Sequence, residues 1–257
     1  MNIWTHLIGS VLFVFLLYLT FAIPISPDFG KSKVVGIHEL IQEELNEMVF
    51  GSGSGSVVPR WPITIFVLCA IFCLSGSTIF HCFLCCNEKV RAILQTIDYC
   101  GISILISGSY FPVIYYPFYN YSQSLRFHLM VVIIINVLNV SVMITPTFRQ
   151  PKYRAVRAAS FTCVACYAFI PLYELYTLDG FANPIFSVMK WYIVGMGTSY
   201  ILGAILYGSR FPEKYWPGSF DFVFSSHQLF HVCIVIAALF HYVGSYQLFV
   251  ARLNSCL

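Results

Sequence analysis

Charge is scarce in this chain. Lys, Arg, Asp and Glu make up 10% of its 257 residues, against about 25% in an ordinary globular domain. Hydrophobic residues reach 58% and mean hydropathy is +0.77. That balance excludes a water-soluble fold and describes a polytopic membrane protein. The net charge of +3 is too small and too dispersed for a nucleic-acid partner. No cleavable leader is expected, because the first apolar stretch is too long and lacks a basic lead-in and a small-residue cleavage site. Nor is a disulfide framework expected. Cysteines such as Cys69, Cys73, Cys163, Cys166 and Cys233 lie inside apolar segments, where packing is the default role.

What is present is a series of apolar runs near the 20 or so residues that a membrane-crossing helix needs. The expected architecture is all-α, a bundle of seven such helices over about 3–24, 62–83, 98–119, 125–146, 156–177, 187–208 and 225–249. Pro24, Pro27, Pro59, Pro62, Pro146, Pro151, Pro212 and Pro217 mark their ends, while Pro112 and Pro171 fall inside and predict kinks. The long connection 25–61 holds an amphipathic pattern in Ile37, Leu40, Ile41, Leu45 and Met48, then a Gly-Ser repeat over 51–56 that reads as a linker. Loop charge sets the orientation. The side of the N-terminus carries Lys89, Arg91, Arg149, Lys152, Arg154, Arg157, Arg210 and Lys214; the other carries Lys31, Lys33, Arg60, Arg126, Lys190 and Arg252. The excess of basic residues predicts a cytoplasmic N-terminus.

Against that apolar background three histidines stand out. His81 closes the second run, and His227 and His231 open the seventh. The last two are four apart, so on a helix they share a face about 6 Å apart along the axis. Counting helices places all three at one depth near one membrane face. Ionisable groups inside a membrane mark function by default, and three imidazoles with an open fourth position are the catalytic form of a zinc site. Asp98, at the expected start of helix 3, either holds and deprotonates a water there or serves as an N-terminal acid favoured by the helix dipole, or as a partner for Lys89 or Arg91. Ser77, one turn before His81, either bonds that water or a substrate oxyanion, or bonds back to its own helix. His6 lies at the same level and either supports a metal ligand from behind or has a packing or interfacial role. His128, His241 and His38 have no comparable partners in sequence. Cys85 is one turn beyond His81 and within reach of a metal, while Cys85 and Cys86 read equally as lipidation positions. Tyr110, Tyr115 and Tyr116 either line a cavity or pack.

These motifs resemble the progestin and adiponectin receptor (PAQR) family nearly end to end. The resemblance is carried by Asn2-Ile3-Trp4-Thr5-His6, by Ser77 to His81, by Asp98-Tyr99-Cys100-Gly101-Ile102, by Arg210 to Gly218 and by Ser226-His227-Gln228-Leu229-Phe230-His231-Val232. Arg60-Trp61-Pro62 and Pro151 to Ala155 look most like the plant heptahelical proteins. The resemblance implies a cytoplasmic N-terminus, opposite to G-protein-coupled receptors. It also implies zinc held by His81, His227 and His231, with Asp98 on the water and Ser77 nearby. Ceramidase-like hydrolysis of a lipid amide is implied as output, and the plant branch implies hormone, sugar or stress signalling. The cytoplasmic segment usual before helix 1 is expected to be missing.

Two functions follow. One is a zinc-dependent lipid amide hydrolase acting as a receptor, with a ceramide-like membrane lipid held in the helix bundle. The other is a non-enzymatic receptor or scaffold with structural zinc. A conventional seven-helix receptor is excluded by the lack of Asp-Arg-Tyr after helix 3 and of a lysine in helix 7. The ligand, the choice between plasma membrane and endomembrane, and assembly as a homo-oligomer stay open at this level.

Overall fold

The structure is a computed structural model that describes residues 2–22, 58–180, 184–220 and 222–255. The amphipathic pattern of 37–48, the Gly-Ser repeat and His38 lie outside these. Helices α1 (Asn2–Ala22), α2 (Trp61–Cys82), α3 (Glu88–Tyr115) and α4 (Ser122–Ile144) are followed by two 3₁₀ turns, Pro146–Arg149 and Pro151–Tyr153. Then come α5 (Arg154–Cys166), α6 (Phe169–Asp179), α7 (Pro184–Ser209) and α8 (Ser226–Ser255). Among the described residues there is no strand, and six spans are long and apolar enough to cross a membrane, α5 and α6 together making one of them. Helix α7 adds 26 residues with Lys190 as its one charged residue.

α2 sits at the centre. Ile63, Phe66, Val67, Ala70 and Leu74 are fully buried on it, and α1, α3 and α8 pack around it. In a bilayer apolar burial gives helices little reason to associate, so close backbone approach and polar contacts do the work. A methyl group at Gly108 of α3 would stand 2.7 Å from Cβ and Sγ of Cys69 on α2, and one at Gly244 of α8 would stand 2.8 Å from Tyr192 Cβ on α7. Polar contacts join further pairs of helices. Ser10 and Ser75 hydroxyls meet at 2.7 Å across α1 and α2. Asn139 donates to Ser103 at 3.0 Å and accepts from Ser160, tying α3, α4 and α5 together.

Helix 3 starts ten residues before the expected 98. Asn87 caps it by accepting from the Val90 N–H at 3.0 Å, and Glu88 stands in its first turn. Its first ten residues are too polar to register as a membrane run, yet the helix continues through them. Asp98 is therefore in the interior of the helix, which overturns its reading as a terminal acid. Among the described residues it also has no ion pair with Lys89 or Arg91.

The fifth crossing breaks in two. Pro171 has no N–H and its ring excludes the carbonyl four residues back, at Tyr167, where α5 gives way to α6. α3 runs on past Pro112, so the two internal prolines differ in outcome. At the break the backbone tightens to bonds from Tyr167 N to Val164 O (3.3 Å) and Ala168 N to Ala165 O (3.2 Å). The buried Tyr110 hydroxyl reaches over from α3 to both carbonyls, at 2.8 and 2.9 Å. Tyr110→Phe is expected to cost about 1 kcal/mol, seen as a lower unfolding temperature in detergent with the metal content unchanged.

Candidate metal centre

The site forms where one end of α1, α2, α3 and α8 meets. Loop chemistry aims α8 into it. Glu213 accepts from the Ser226 N–H at 2.8 Å and from the Ser226 hydroxyl at 2.5 Å, directly before His227. Burial works against the Glu213 charge, but these Ser226 bonds prevail and hold its carboxyl below the usual range. Gln228 bonds back to the loop at Phe224 N and Phe222 O. The first turn of α8 is thus anchored on both flanks of His227.

His81, His227 and His231 each bring a ring nitrogen to one point, all within 4.8 Å of one another. His81 Nε2 and His227 Nε2 are 3.1 Å apart. Two nitrogens on a tetrahedral zinc at about 2.0–2.1 Å stand roughly 3.3 Å apart, so this pair is close to that spacing. The third ring is oriented from α1. His231 Nδ1 lies 3.3 Å from the Asn2 carbonyl and 3.2 Å from Thr5 Oγ1, and Thr5 itself donates to Asn2 O at 3.0 Å. A carbonyl only accepts, so Nδ1 carries the proton and Nε2 keeps a free lone pair, the arrangement a metal-binding imidazole needs. The donor set fits zinc on these grounds.

Asp98 is 6% exposed and Ser77 1%. Ser77 Oγ approaches the Asp98 carboxylate without closing a hydrogen bond of ordinary geometry. Both line the same cavity as His227 and His231. Cys85 is exposed and stands apart from the three-histidine cluster, as does Cys82.

Two further groups belong to the site. His6 stacks on His231 with ring centroids 3.6 Å apart and planes within 7°. Both its ring nitrogens are buried with no hydrogen-bond partner. Arg157 is 3% exposed. It donates to Gln150 O and Tyr207 Oη at 3.0 Å each and to Phe148 O, and it stacks on Tyr99 at 4.7 Å. In sequence Arg157 reads as loop charge at a helix start, and nothing there marks it as a cavity residue.

The cavity has a volume of about 220 Å³. It runs from Asp98 to Val113 along α3, about 22 Å at 1.5 Å per residue. One end is polar (Ser77, Asp98, Arg157, His6, His227 and His231), while Ile106, Val113, Met189 and Leu175 line the rest. Tyr110 lines it, whereas Tyr115 and Tyr116 pack in an aromatic cluster with Trp61 and Phe249. His128 is fully buried elsewhere, between Tyr167 Oη and Glu174 Oε2 at 2.8 Å each.

The fold is that of a multi-pass helical membrane protein, and the comparisons place it in the adiponectin-receptor-like, heptahelical class. The chain belongs to the family described as haemolysin-III related, whose model matches residues 1–242. It is similar to progestin and adipoQ receptor-like protein 1 of Caenorhabditis elegans, 35% identical over 98% of this chain and 52% of that protein. The adiponectin receptor protein of Drosophila melanogaster is 32% identical over 95% of this chain and 49% of its own length. Heptahelical transmembrane protein 1 of Arabidopsis thaliana is 32% identical over 95% and 68%. The chain spans about half the length of the two animal relatives it matches.

Proposed function

We propose that this chain is a zinc-dependent membrane hydrolase that cleaves a lipid amide, ceramide-like in class, and signals through the products. The observation that supports it is the convergence of three imidazole nitrogens at the polar end of an elongated apolar cavity that the buried Asp98 also lines. His81, His227 and His231 would hold the ion, which when bound acidifies water and polarises a carbonyl. Asp98 then takes the proton of the attacking water. The water oxygen bonds to the amide carbon, the C–N bond breaks, and the proton held at Asp98 passes to the leaving amine. Ser77 orients the water or the acyl oxygen. Arg157 and Tyr207 present donors at the polar end, and the apolar walls hold the acyl chain. The loop charges support a cytoplasmic position for this end and for the N-terminus, in plasma membrane or endomembrane. Similarity to plant heptahelical proteins and to adiponectin receptors supports a place in hormone, sugar or stress signalling.

Purified protein given a long-chain N-acyl sphingoid lipid in detergent is expected to release free fatty acid, and a zinc chelator is expected to abolish the release. Bound zinc without any fatty acid release would leave the other reading, a receptor or scaffold whose zinc is structural.

A further inference from the structure

The cavity extends well past the histidine cluster, and one polar side chain on its wall has no part in the chemistry above. His241 lies ten residues beyond His231 on α8, about 15 Å further along the helix axis. It lines the cavity and is 4% exposed. Its Nδ1 is 3.0 Å from Met196 Sδ, a weak acceptor at best. Its Nε2 has no hydrogen bond of ordinary geometry, although the Ser109 backbone lies near the ring. Two hydroxyls on this stretch are occupied: Ser109 donates to Ile106 O, and Tyr110 to Val164 O and Ala165 O. A buried polar atom without a partner is costly, and mid-membrane surroundings offer no bulk water to supply one. A phenylalanine would fill the same space at no such cost, packed edge-on against Phe66 as the imidazole is, with centroids 4.4 Å apart.

We propose that His241 is a hydrogen-bonding subsite for an oxygen function carried partway along the lipid chain in this cavity, a hydroxyl or oxo group. The inference rests on the lipid-chain reading of the cavity given above. The distance sets the position of the oxygen. An extended hydrocarbon chain with bonds of about 1.5 Å advances roughly 1.25 Å per carbon, so 15 Å corresponds to about twelve carbons from the polar end. The site therefore selects mid-chain-oxygenated acyl groups over plain ones, while the histidine cluster handles the head.

The test uses the full chain, zinc-loaded in detergent, with octadecanoate, 12-hydroxyoctadecanoate and 3-hydroxyoctadecanoate displacing a fluorescent fatty acid. The 12-hydroxy chain is expected to bind about fivefold to tenfold more tightly than the plain one, the range for one hydrogen bond. The 3-hydroxy chain should show no such gain. In His241→Phe the 12-hydroxy preference should vanish while octadecanoate still binds. Equal binding of the 12-hydroxy and plain chains by wild type, or a preference that survives in the variant, overturns the His241 assignment and leaves the lipid cavity standing. Failure of all three to displace the probe overturns the lipid cavity itself. The comparison of positional isomers on wild type decides the matter even if the variant does not fold.

Discussion

Changing His227 and His231 together to Ala is expected to take the zinc content of detergent-purified protein from about one ion per chain to none. The two residues supply two of the three ligands from successive turns of one helix, and a single remaining imidazole at His81 cannot hold zinc against buffer. The fold should survive. The helix is held along its whole length by Ile234, Ala237, Ala238 and Leu248, buried below the site, so helical content by circular dichroism should match wild type. Elemental analysis beside that spectrum checks the prediction. A folded wild type purified without zinc, and unable to take it up, would mean that the 3.1 Å contact between His81 and His227 is an imidazole–imidazole hydrogen bond. The hydrolase reading would then be lost.

The second large effect is on turnover. Asp98→Asn keeps the shape and polarity of the side chain and removes its ability to accept a proton. Zinc binding should persist, because Asp98 is outside the three-histidine set. Fatty acid release from the N-acyl sphingoid lipid should fall by about 10²- to 10⁴-fold, the usual contribution of a positioned general base. Zinc content and initial rate measured on one preparation separate the two effects. Loss of zinc along with activity would make Asp98 a ligand-organising group instead. An unchanged rate would leave its buried carboxylate without a catalytic part.

His6 illustrates why neighbours are hard to read from a linear pattern. Its level in the membrane follows from its place near the start of α1, but stacking at 3.6 Å on His231 depends on the rotation of α1 about its axis, which periodicity in a uniformly apolar helix does not encode. The same holds for Arg157. It counts as one more basic residue in a charged loop, yet the turn at Pro151–Tyr153 folds back so that its guanidinium is clamped by Phe148 O and Gln150 O and faces the cavity. The start of helix 3 failed for a different reason. A hydropathy window detects membrane-crossing segments, and the ten residues before Asp98, with Glu88, Lys89, Arg91, Gln95 and Thr96 among them, continue the helix without continuing the apolar run.

The sequence by itself determined the all-α membrane architecture, because a bilayer admits long apolar segments only as helices whose backbone bonds are internal. It also determined that His81, His227 and His231 share one depth, since that follows from counting crossings and from the i, i+4 spacing. Only the tertiary structure decided that these rings converge within 4.8 Å, that Asp98 is a buried interior residue beside Ser77, and that an apolar channel leads from them toward His241. Convergence depends on the helix rotations and close approaches set by side-chain packing between segments far apart in the chain, such as Gly108 on Cys69 and Tyr110 on the break of the fifth crossing. Local spacing carries no record of those contacts.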